Sequence, residues 1–148
     1  MASGNLAAQA VGEERVPLGK VLRVGGLAIV ASVVANLVLL GIVNLLVPQP
    51  GFIPLTVPPI AIFTTVGSLA AVLVFVVLSR FVSDPSRLYV IIGIVAFVVS
   101  CIPNVLAAQN ADPVVFPGAT ATGFLLLILF HIPPAVLCIW LLATRARP

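Results

Sequence analysis

Four long apolar runs, at about residues 21–47, 60–81, 88–107 and 120–143, organise the whole chain. Hydrophobic residues follow one another within each run without alternating, and the only charges are Arg23 and Arg80 at their edges. A helix needs roughly 20 apolar residues to cross a hydrocarbon core of about 30 Å, and every run is long enough. Lipid offers no partner to a backbone amide, so a spanning segment is a helix or a strand of a closed barrel. The lack of period-two alternation excludes barrel strands. The pattern predicts an all-α membrane protein, a four-transmembrane-helix antiparallel bundle over residues 21–145. A mobile tail at residues 1–20 precedes it and residues 146–148 follow it. The first run is too long for the roughly 7–15 apolar residues of a cleaved signal, and it ends without a small-residue cleavage site.

The connections fit this plan. Ser83-Asp84-Pro85-Ser86 is built from turn formers and predicts a tight hairpin between the second and third runs. The first long connection holds Pro48, Pro50, Pro54, Pro58 and Pro59, so it should be extended and stiff. Pro58 and Pro59 also suit the first turn of a helix, where a missing N–H costs nothing. The apolar members Phe52, Ile53, Leu55 and Val57 are expected in the membrane interface. The second connection ends in Pro117-Gly118.

Composition sets the solvent. The chain of 148 residues is 61% hydrophobic and 7% charged, against roughly a quarter charged in soluble domains. Its formal charge of +3 comes from basic residues in separate clusters between apolar runs, which does not suit nucleic acid. Arg15, Lys20 and Arg23 precede the first run, Arg80 and Arg87 flank the hairpin, and Arg145 and Arg147 end the chain. All of them fall on one side. The positive-inside rule therefore predicts both termini in the cytoplasm, N-in and C-in, with the chain in the inner (plasma) membrane.

Polar groups kept inside lipid are the place to look for function. Counting about 1.5 Å per residue from the basic ends puts Asn36, Thr64, Ser68, Ser100, Asn104 and His131 near one level, roughly 18–24 Å deep. Prolines mark the same level. Pro103 frees the carbonyl of Val99, and Pro133 and Pro134 free those of Leu129 and Phe130, so kinks are expected there. Freed carbonyls in lipid need donors from neighbouring helices, and Asn36, Ser68, Ser100 and His131 carry them. The layer thus has two possible uses: a clasp that fixes helix packing, or a ligand, proton or ion site. His131 is the single histidine. No Asp or Glu lies within a run, and Cys101 and Cys138 differ by about 10 Å in depth, so no disulfide, metal or cofactor is expected. A membrane enzyme using His131 as acid or base lacks a second reactive group. Small residues (Ala28, Ser32 and Ala35; Gly67 and Ala71; Ala96 and Ser100) predict close helix contacts. Trp140 and Tyr89 suit interfacial anchors.

The chain also resembles a known group. Val57-Pro58-Pro59, Ser79-Arg80-Phe81, Asp84-Pro85-Ser86-Arg87, Ser100-Cys101-Ile102-Pro103 and the Phe130-His131 step carry the likeness. It is similar to small four-helix bacterial membrane proteins of unknown function, common in actinobacteria and related lineages. The resemblance covers most of the chain after residue 20. It implies the four-span topology and no particular activity. The functional expectation is a non-catalytic accessory or scaffold subunit working through helix–helix contacts, in a larger membrane complex or a homo-oligomer. The alternative is a binder or carrier of a small apolar or weakly polar ligand around His131, which requires a cavity reaching His131 and Asn104.

Overall fold

The computed structural model describes residues 16–146. The tail at 1–15, with Arg15, and the last residues, with Arg147, lie outside that range. Among the described residues, four helical segments are long and apolar enough to cross a membrane. The first is α1 (Leu18–Leu46), the second α2 (Val57–Phe81) and the third α3 (Pro85–Gln109). The fourth is divided into α4 (Ala121–Leu129) and α5 (Ile132–Arg145). A single 3₁₀ turn, Ile53–Leu55, sits in the first long connection.

Helix starts follow the chain's prolines. Pro17 stands before α1, Pro58 and Pro59 occupy the first turn of α2, and Pro85 opens α3. The first turn leaves its N–H groups without helical acceptors, so proline loses nothing there. Asp84 caps α3 by accepting from the Arg87 N–H at 3.1 Å. Each of these helices therefore begins before its apolar run does, at residues 18, 57 and 85.

Pro103 and the Pro133-Pro134 pair behave differently. Pro103 lies inside an unbroken helix. Two successive prolines remove two successive helical donors, and the fourth span is interrupted at Phe130-His131, where the backbone stays right-handed. α4 closes with short-range bonds, Phe130 N–H to Leu127 O and His131 N–H to Ile128 O, both 3.1 Å. The prolines then fall in the first turn of α5. The interruption of the helix falls at Phe130-His131, just ahead of Pro133 and Pro134.

α1 packs on α2 and α5, and α3 packs on α4 and α5, while α2 and α3 approach one another much less closely. Glycine sets two of the contacts. A Cβ on Gly25 would lie 2.6 Å from the Val72 side chain, and one on Gly93 would lie 2.7 Å from Ile139. The core is divided in two. One cluster joins Val21 and Ala28, Val72 and Phe75, Tyr89, and Cys138, Leu141, Leu142, Ala143 and Ala146. It lies at the end that carries Lys20, Arg23, Arg80, Arg87 and Arg145, here called the basic end. The other joins Leu40, Val43, Phe52, Leu55, Ile60, Phe124 and Phe130 at the loop end.

Aromatic placement departs from expectation in both halves. Tyr89 is 2% exposed and packs edge-to-face on Phe75 at 5.0 Å, so it is a core residue and not an interfacial anchor. Phe52 and Leu55 are buried in the protein, whereas Ile53 and Val57 are exposed. Phe52 meets Phe124 edge-to-face at 5.0 Å, and Phe116 meets Phe124 at 5.8 Å. The two long connections are pressed together at this cap. Gly51 and Gly118 have φ of 79° and 73°, and a Cβ on Gly118 would collide with the Gly51 backbone. Thr120 also donates to Gln49 Oε1 across the connections.

Candidate functional site

The polar residues lie between the two apolar clusters and divide into two groups. Asn36 forms the first. Its Nδ2 donates to Thr64 Oγ1 at 2.8 Å and to the Phe130 carbonyl at 2.9 Å. Pro134 removes the helical donor for that carbonyl, so Asn36 supplies from α1 what α5 lacks. One fully buried side chain thus ties α1 to α2 and to the break between α4 and α5.

The second group faces a cavity of about 1110 Å³ between α2, α3 and α5. Thr64, Ser68, Ser100, Asn104 and His131 all line it; Asn36 does not. Small-molecule sites occupy roughly 300–1,000 Å³, so this space is large even for a drug-sized ligand. Phe63, Gly67 and Ala96 line it and are exposed, which opens it sideways between α2 and α3. Ile53, Pro54, Val115, Phe116 and Pro117 bound it at the loop end, and Tyr89 bounds it at the basic end. The small residues Gly67, Ala71, Ala96 and Ser100, expected at tight helix contacts, instead widen this space. α3 consequently has Tyr89 as its single buried residue.

Within the wall, donors turn back into their own helices. Ser100 Oγ–H donates to Phe97 O at 2.7 Å. Asn104 Nδ2 reaches Ser100 O at 3.4 Å. His131 Nδ1 lies 2.9 Å from Leu127 O. A carbonyl only accepts, so Nδ1 carries the proton, and the neutral ring keeps Nε2 as an acceptor. Counted along their helices, Ser68, Ser100 and His131 share a level about 20 Å from the basic end, with Thr64 and Asn104 about one turn further out. Ser68 is 1% exposed, and its Oγ lacks a well-formed hydrogen bond; the thiol of Cys138 beside it is a weak partner. Cys138 and Cys101 are both free thiols. Among the described residues, no three of His, Cys, Asp and Glu come together.

The sequence shows the polar residues but not the cavity. The small residues of α2 and α3 were its signal, and they read equally well as contact residues. The caps made by Phe52, Phe116 and Tyr89 depend on long-range packing that no local pattern displays.

Fold and site together define a multi-pass membrane protein with a side-opening cavity inside its spans. The chain belongs to DUF6069, a family of unknown function whose model matches residues 16–148. No curated protein and no solved structure matches it.

Proposed function

We propose that this protein binds a lipophilic molecule within the membrane, in the cavity between α2, α3 and α5. The observation that carries the reading is the cavity itself. It is about 1110 Å³, apolar along most of its wall, polar at one depth and open to the side. A molecule dissolved in lipid enters such a space without crossing water. Ligand sites have this composition: hydrophobic walls with a few placed polar groups. The accessory-subunit reading draws less support, because the many exposed large apolar side chains are what lipid alone requires. The basic end faces the cytoplasm of a bacterial inner membrane by the positive-inside rule, which puts both termini inside.

Gly67 gives a clean test. It lines the cavity, and a Cβ there meets nothing within 4 Å. Gly67→Phe puts a ring into the side opening, with its Cβ clear of every neighbour. The full chain in nanodiscs is labelled with a diazirine-bearing hexadecyl chain, and the labelled peptides are mapped by mass spectrometry. Labelling at Phe97, Ala135 and Ile139 should be strong in the wild type and lost in Gly67→Phe. Labels confined to outward faces, unchanged by Gly67→Phe, would defeat the reading. Side-specific labelling of cysteines placed at Gln49 and Ser83 tests orientation, and a cytoplasmic position 49 would reverse it.

A further inference from the structure

We infer that the occupant is a neutral lipid bearing a free hydroxyl, whose O–H donates to His131 Nε2. This rests on the cavity reading above and specifies its ligand. Three features of the wall lead to it.

The first is charge. Among the described residues, no Lys or Arg lines the cavity. A phosphate or carboxylate at this depth would have no counter-ion, and an unpaired charge in a low-dielectric site is costly. Anionic lipid heads and ionised fatty acids are therefore poor occupants.

The second is depth. His131 lies about 21 Å along α5 from Arg145 and about 15 Å from the start of α4. A bulky zwitterionic head does not reach mid-membrane, whereas a single hydroxyl is small enough to do so.

The third is the sense of the hydrogen bonds. Ser100, Asn104 and His131 each direct a donor to a carbonyl of their own helix. What these three leave toward the cavity is mostly acceptor: His131 Nε2, Asn104 Oδ1 and the Ser100 oxygen lone pairs; the Thr64 and Ser68 hydroxyls of the same wall can both donate and accept. His131 makes no bond through Nε2 to any described residue. The acceptors grouped at Ser100, Asn104 and His131 select a donor. A hydroxyl supplies one, while an ester, ether or hydrocarbon does not. The second amide proton of Asn104 can serve the hydroxyl's own oxygen or a neighbouring one.

The test is competition against the photoreactive hexadecyl chain in wild-type nanodiscs. Geranylgeraniol and dioleoylglycerol represent two sources of the same chemistry, and their methyl ethers remove only the donor. At least one alcohol should compete about tenfold better than its ether. The better of the two identifies the chain shape that fits. His131→Phe keeps the ring and removes the acceptor, so it should abolish the alcohol's advantage. A second readout needs no variant. With a single histidine in the chain, ¹⁵N-histidine labelling gives one imidazole, and geranylgeraniol or dioleoylglycerol should shift the unprotonated Nε2 resonance while its ether does not. Equal competition by alcohol and ether, with an unmoved Nε2 signal, overturns the hydroxyl inference and leaves the cavity reading standing. Failure of every competitor, with labelling indifferent to Gly67→Phe, removes the cavity reading itself.

Discussion

Removing Asn36 tests whether one amide holds the helices in place. Asn36→Ala deletes two donated bonds, at 2.8 Å to Thr64 Oγ1 and 2.9 Å to Phe130 O. The two losses differ in size. Thr64 has a hydroxyl that can turn to its own helix, so its share is near the membrane-protein average of about 0.6 kcal/mol. Phe130 O has no such recourse, because Pro134 has already removed its helical donor. A buried acceptor left unpaired costs about 1–3 kcal/mol. The sum predicts a loss of about 2–4 kcal/mol for Asn36→Ala, against about 0.6 kcal/mol for Thr64→Val. The assay is unfolding by SDS in mixed micelles, followed by far-ultraviolet circular dichroism. Pro134→Ala sharpens it by returning an N–H within reach of Phe130 O. In that background Asn36→Ala should cost at least about 1 kcal/mol less. Equal losses for Asn36→Ala and Thr64→Val, or strict additivity with Pro134→Ala, would refute the assignment of the carbonyl as the costly partner.

Four further outcomes follow from the packing. Gly26→Ala should stabilise by about 0.5–1 kcal/mol through helix propensity, since a Cβ there meets nothing within 4 Å. Its neighbour Gly25→Ala should destabilise by about 1–3 kcal/mol, since a Cβ there lies 2.6 Å from Val72; the same SDS titration reads both signs. Gly118→Ala combines a left-handed φ of 73° with a backbone collision at Gly51, so thermal unfolding should show a larger loss than for Gly51→Ala, where the nearest atom is 3.8 Å away. Phe75→Ala removes a fully buried ring and its edge-to-face contact with Tyr89; a loss of about 3–5 kcal/mol is expected in the SDS titration.

The membrane architecture was legible because lipid imposes one rule at every position of a span. Continuous apolar runs, prolines at helix starts and basic residues at alternate connections all follow from it. The Asn36–Phe130 bond was partly legible too. The Pro134 position names the orphaned carbonyl, and depth counting brings Asn36 to its level. Choosing Asn36 over Ser68, Ser100 or His131 required knowing which faces meet, and the others bond locally or lack a well-formed partner. The cavity was hidden for a related reason. A stripe of small residues permits close approach and equally permits a gap. In α3 one such residue, Gly93, meets Ile139 closely, while Ala96 and Ser100 face open space. Tyr89 was misplaced because an aromatic near a span end suits both the interface and the core, and only Phe75 across the hairpin decides between them.

The clasp and the cavity share Thr64 and also meet at one peptide bond. Asn36 holds the carbonyl of Phe130, and the next residue, His131, places its ring in the cavity wall. Asn36 does not line the cavity, so it acts on that space through its two partners, the Thr64 side chain in the wall and the backbone at the break. The break is held on few points: short-range bonds at Phe130 and His131, and the Asn36 amide from α1. Loss of the amide frees the Phe130 peptide to rotate, which turns the His131 backbone and loosens the bond from Nδ1 to Leu127 O. Under conditions where Asn36→Ala remains folded, its ¹⁵N-histidine spectrum should show the two nitrogen signals moving toward each other as the tautomers mix. Thr64→Val lines the cavity directly yet leaves the carbonyl contact intact, and it should leave those signals nearly unchanged. The reverse order of effects would mean that His131 is oriented by the cavity wall and owes nothing to α1.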